Sequence, residues 1–170
     1  MIPDMENNKI KFITRTAILL ALTLVVQWLR LPTIFTGPLV NFMLIISTAL
    51  LGIRGGALIG LFTPWIALLV GILPAPLAPV IPFIMLGNTA YCLLFGIGFR
   101  YIKWGGWVGL IAGSLLKFVI IAGAARYLLA LPLPVAEALL FPQLINAVIG
   151  GALAVLCALY FLHRVEKNEG

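Results

Sequence analysis

GWVGLIAGSLLKFVIIAGAARYLLA, residues 106–130, decides what kind of protein this is. A helix crosses a bilayer's hydrocarbon core, ~30 Å thick, with about 20 apolar residues rising 1.5 Å each. Trp107 to Ala130 supplies that length. In the middle stands Lys117, with no acidic residue near it in sequence. A lysine at the centre of a membrane helix costs roughly 2.5–3.5 kcal/mol on insertion scales. It is therefore expected to face a protein interior, a water-filled cavity or a ligand. The rest of the chain reads as the walls of that cavity.

The flanking segments are equally apolar. Of 170 residues, 63% are hydrophobic and 9% charged, against about a quarter charged in soluble domains. The composition is that of an all-α integral membrane protein. A net charge of +6 does not point to nucleic acid here, because the basic residues lie mostly between apolar runs, where they orient a membrane chain. Cys92 and Cys157 both fall inside apolar runs and read as buried free thiols. Lys9, Lys11 and Arg15 before an apolar run have the outline of a signal peptide. They are followed by Gln27, Trp28 and Arg30 instead of a small-residue cleavage site, so this is read as a mature helix.

Prolines and turn signals divide the chain into six expected transmembrane helices: Phe12–Leu31, a second from the Thr36-Gly37-Pro38 turn to Gly52–Arg54, Gly56–Leu73, Phe83–Ile102, the opening stretch, and a sixth from Val135–Glu137 to His163. The second and third look short. Residues 1–11 read as a cytoplasmic tail, 12–163 as one substrate-binding transmembrane domain, and 164–170 as a second tail. With the amino terminus inside, Lys9, Lys11, Arg15, Arg54, Arg100, Lys103, Arg164 and Lys167 are cytoplasmic, while only Arg30 and Arg126 fall at outer ends. That asymmetry predicts both termini in the cytoplasm. The apolar connection PAPLAPVIP, residues 74–82, is expected to be a rigid outer loop or a lid over an outward pocket.

On this threading the intramembrane polar residues collect toward one side. Asn41 lies at the outer start of the second helix and Asn88 about one and a half turns into the fourth. Gln143 and Asn146 share a face of the sixth. Arg126 sits near the outer end of the fifth helix, nine residues and nearly half a turn from Lys117. Trp65, after Thr63-Pro64, is placed to stack on a planar ligand. These seven are the candidate substrate contacts. Each has a plainer reading: amides can glue helices for about 0.6 kcal/mol on average, and arginines such as Arg30 and Arg126 can snorkel to the interface. Lys117 is the hardest to dismiss, being too deep to reach water.

Small residues four apart (Gly52, Gly56, Gly60; Gly105, Gly109, Gly113; Ala17, Ala21) allow close helix approach, within the chain or against a partner. No GxxxxGK[ST] loop is present, so ATP hydrolysis by that route is not expected. With one histidine, His163, no metal site is expected either. The spans contain no Asp, and Glu137 at an edge is the nearest membrane carboxylate, leaving ion coupling without an evident carrier. The first and second halves show no repeat. The chain reads as one that binds something and cannot power its movement.

The runs TRTAILLALTLVVQ (14–27), TGPLVNFMLIISTALLG (36–52), PLAPVIPFIMLGN (76–88) and FPQLINAVIGG (141–151), with the length and orientation, resemble the substrate-binding S components of energy-coupling factor (ECF) transporters. The resemblance implies vitamin uptake across a prokaryotic cell membrane with a membrane T component and two cytoplasmic ATPases, which use the ATP. No enzyme activity and no cofactor belong to this chain on that reading. It further implies an outer pocket built by the fourth to sixth helices under two loops. Ala17 and Ala21 match the family's Ala-x-x-x-Ala contact for the T component. The substrate is expected to be a water-soluble vitamin or related small metabolite, with Lys117 favouring a carboxylate or other electron-rich group. The readings from other classes are a self-contained oligomeric channel or exporter, and a membrane scaffold whose amides only join helices.

Overall fold

The computed structural model describes residues 3–129, 131 and 133–168, with the side chains of 3–6, 33, 138 and 161–168 outside the description. Pro132, expected to end the fifth helix, and the side chains of His163, Arg164 and Lys167 lie outside the described residues. The chain is all-helical, without a strand among the described residues. In order come α1 (Pro3–Trp28), α2 (Thr33–Leu69), a 3-10 helix (Ala75–Val80), α3 (Ile81–Tyr101), α4 (Gly105–Gly123), a π-helical turn (Ala124–Leu128), α5 (Leu133–Ala138) and α6 (Phe141–Asn168).

Five helical stretches are long and apolar enough to cross a membrane: Asn7–Trp28, Ile34–Leu69, Ala75–Tyr101, Gly105–Leu128 and Leu133–Tyr160. The second of these is not a straight rod. A straight helix the length of α2 would measure about 55 Å, nearly twice the hydrocarbon core. At Gly52 the backbone takes φ 78° and ψ 179°, a region that is essentially glycine's alone. Thr48 and Gly56 would be about 12 Å apart along an unbroken helix, yet a Cβ on Gly56 would lie 2.9 Å from Thr48 Cα. The two arms of α2, residues 33–51 and 53–69, therefore fold back on each other. Gly52 marks the break that the sequence reading set at Gly52–Arg54.

Around these arms pack α3, α4 and α6. Their shared core is Leu44, Ile45, Ile59, Tyr91, Phe95 and Leu110, closed by small residues of α6 such as Ala147 and Ala154. Tyr91 ties α3 to α6 by donating its hydroxyl hydrogen to the Ala147 carbonyl at 2.7 Å. Three buried threonine hydroxyls are satisfied locally: Thr23, Thr48 and Thr63 each donate to the carbonyl four residues earlier, at 2.7, 2.8 and 2.6 Å. That arrangement suits a lipid setting, where a free hydroxyl finds no water. A second cluster, Val80, Ile121, Ala125 and Leu139, joins the 3-10 segment to α4 and the α5–α6 connection at the other end.

The outside is as apolar as the inside. Leu22, Leu50, Val108, Ile111, Val119 and Leu153 are all exposed, a belt that fits hydrocarbon and not water. The chain is a multi-pass membrane protein. Helix α1 is the peripheral element and begins well before the expected Phe12. It lays Leu19, Leu20 and Thr23 against the core and leaves Ala17, Ile18, Ala21, Leu22 and Val25 exposed.

Candidate binding cavity

At the end of the bundle where α1 stops and α2 starts, the helices part around a cavity of about 400 Å³. The turn between α1 and α2 is tight. Arg30 adopts φ 48°, uncommon for a residue with a Cβ, and Thr36 donates its hydroxyl to the Leu31 carbonyl at 2.8 Å. Both residues line the cavity. The walls draw on more of the chain than the fourth to sixth expected helices, adding the end of α1 and both arms of α2 to α3, α4 and α6.

Lys117 reaches the cavity from α4 and is 3% exposed. Its stem passes α3 at Gly87, where a Cβ would stand 3.2 Å from Lys117 Cγ. The ammonium lies 5.3 Å from the Tyr91 ring centroid, within the range of a cation–π contact. It donates to Asn41 Oδ1 at 2.5 Å. Asn41 in turn donates its amide hydrogen to the Gly37 carbonyl at 2.8 Å, which turns Oδ1 toward the lysine. Among the described residues, Asn41 is the lysine's only hydrogen-bond partner, and no carboxylate lines the cavity.

Asn88, Gln143 and Asn146 line the same space. Asn88 is 3% exposed and its Oδ1 is buried without a hydrogen-bond donor. Asn146 rests against Gly37, where any Cβ would run into its amide group. Glycine at this position lets α6 bring an amide against the first turn of α2. The rest of the wall is aliphatic, with Val40, Ile72, Leu73, Leu77, Ile84 and Leu139. A mostly apolar concavity with a few convergent polar groups has the form of a small-molecule site.

Five of the seven residues expected at a substrate site thus meet at one cavity, and two do not. Trp65 is 46% exposed and off the cavity. It sits beside Phe62, ring centroids 6.2 Å apart, while its neighbour Pro64 is on the wall. One residue along a helix turns the side chain by about 100°. Arg126 is exposed in the π-helical turn and does not line the cavity. Conversely Arg30, read as snorkelling, and Gln27, Thr36 and Thr63, left out of the expected set, are on the wall. No periodicity in the sequence announces the positive φ that brings Arg30 there.

Fold and cavity together define a helical membrane protein with a ligand-sized hollow at one end. A family model, that of the substrate-specific component of ECF transporters, matches residues 11–161, and the chain belongs to that family. It is accordingly a membrane substrate-binding subunit of an ECF transporter, a class of transporter subunits that are not enzymes. No curated protein and no solved structure matches the chain.

Proposed function

We propose that the cavity is the capture site for a water-soluble vitamin or related small metabolite, taken up across the plasma membrane of a prokaryote. Lys117 carries the reading. It is a buried ammonium whose one hydrogen-bond partner among the described residues is a neutral amide. A substrate with a carboxylate or other electron-rich group supplies the charged partner missing among the described residues, with Asn88, Gln143 and Asn146 beside it. Losing the partner of a charge costs about 1.5–3 kcal/mol, against roughly 1 kcal/mol for a neutral bond. Once the ligand is identified by mass spectrometry of the purified protein, Lys117→Met should weaken its binding by at least about tenfold in a titration. Normal binding by Lys117→Met, with loss in Asn146→Ala, would move the site nearer the membrane surface.

On this proposal the two arms of α2 cross the membrane separately, giving six crossings with both termini cytoplasmic. The fold-back at Gly52 and the distribution of basic residues support that count. Cysteines placed at Trp28 and Lys103, both exposed, should react with impermeant reagents from opposite sides of the membrane. Reaction from the same side overturns the topology.

Delivery is assigned to a membrane T component and two cytoplasmic ATPases, which hydrolyse the ATP. The T component is seated on the exposed α1 face at Ala17 and Ala21, where small side chains admit a second backbone. Ala17→Trp should abolish uptake by the assembled transporter and leave binding to the isolated chain unchanged. Equal loss of both would assign Ala17 to internal packing.

A further inference from the structure

The cavity wall is as informative in what it omits as in what it holds. Among the described residues that line it there is no aromatic ring and no acidic side chain, but there are two cations, Lys117 deep and Arg30 at the α1–α2 turn. A cationic substrate would enter a low-dielectric space next to an ammonium with no carboxylate to offset its charge. Like charges that close repel strongly once water is excluded. A flat heterocycle would find no ring to stack on, forgoing about 0.5–1.5 kcal/mol per aromatic pair. Trp65, the one tryptophan positioned in sequence for such a role, is off the wall.

What the wall does offer is specific. There is an uncompensated ammonium at the deep end and a buried Asn88 Oδ1 lacking a donor. Between and around them lie the branched side chains of Val40, Ile72, Leu73, Leu77, Ile84 and Leu139. An anion forms short, charge-assisted bonds to Lys117. A hydroxyl or amide N–H on the ligand satisfies Asn88, and a saturated carbon body fills the aliphatic belt. A volume of about 400 Å³ is near the small end of the roughly 300–1,000 Å³ usual for ligand pockets.

Resting on the proposal that this cavity is the capture site, we infer that its substrate is a small non-aromatic carboxylate, with a saturated aliphatic body and a hydroxyl or amide N–H. Amines, cationic rings and flat heterocycles are the classes it rejects.

The test uses the purified full chain in detergent and the small-molecule fraction of yeast extract, a mixed source of vitamins and precursors. Retained compounds are identified by mass spectrometry. Val40→Trp, which fills the cavity, sets the background. A second aliquot of extract is first treated with trimethylsilyldiazomethane in methanol, which converts carboxylic acids to methyl esters and leaves amines unmodified. The expected result is enrichment of an aliphatic acid without aromatic absorbance. Its methyl ester should not be retained, and Lys117→Met should hold at least about tenfold less of the acid. The methylation arm decides the matter even if Lys117→Met fails to fold. Enrichment of an amine or a flat heterocycle, removed by Val40→Trp, overturns the substrate class and leaves the capture site standing. Retention no greater than in Val40→Trp overturns both.

Discussion

The two ends of this bundle are built on opposite rules. At the closed end α3 and α4 are held so near that a Cβ on Gly98 or Gly105 would strike the other's backbone, and Phe95 stacks on Phe99 at 5.2 Å between ring centroids. At the cavity end the same two helices still meet, with Ile84 against the Ile121 cluster and the Lys117 stem passing Gly87, but beside them the bundle opens into the cavity. Glycines occur at both ends and do different things. Gly109 lets two backbones touch, whereas Gly37 and Gly87 make room for the side chains of Asn146 and Lys117. Without a hydrophobic drive between helices in lipid, packing is what joins them. The closed end supplies that packing, and so frees the other end to remain hollow.

Substitutions can break this contrast in order of size. Gly109→Val should have the largest effect, because a Cβ there would lie 2.9 Å from Phe95 Cα and 3.1 Å from its carbonyl oxygen. Backbone cannot step aside as a side chain can, so a loss of about 1–3 kcal/mol or more is expected, read as a lower melting temperature in detergent. Gly37→Ala should instead be tolerated in the melt, since the atoms nearest its new methyl belong to the movable amide of Asn146. Binding should fall several-fold as that amide is displaced. A large drop in melting temperature for Gly37→Ala would erase the distinction between the ends.

The smallest effect on the fold is expected for Lys117→Met. It leaves the buried Asn41 Oδ1 without its donor, costing about 1–3 kcal/mol, and removes an insertion penalty of roughly 2.5–3.5 kcal/mol. The two nearly cancel, and the melt should move little while binding collapses. A melt that falls as far as that of Gly109→Val would make the lysine a packing residue.

How much of this was legible beforehand depended on which coordinate was asked for. Depth along a helix follows from counting residues, and depth alone placed Asn41, Asn88, Gln143 and Asn146 toward the outer side with Lys117 midway. The direction a side chain points depends on where a helix starts, kinks and ends. Trp65 and Arg126 miss the cavity because one lies a residue past Pro64 and the other in a π-helical turn. Arg30 joins the wall through a backbone torsion with no residue pattern behind it. The helix end expected at Gly52–Arg54 coincides with the non-helical Gly52, but the sequence carried no mark that helical hydrogen bonding would run up to it from both sides.

Gly52 has a consequence beyond its own turn. On the proposed topology, each crossing hands the next segment to the opposite compartment, so the chain keeps count of its passages like an odd–even switch. The fold-back at Gly52 adds one passage within what is otherwise a continuous helical stretch of 37 residues. A side chain there, resisting φ 78°, would press the two arms toward a single passage. Everything downstream would then inherit the wrong parity: Arg100 and Lys103 would be offered to the outside, and Asn88, Lys117 and Asn146 would be parted from Arg30 and Asn41 of the upstream wall. On that topology, one torsion angle decides whether the two halves of the cavity wall meet.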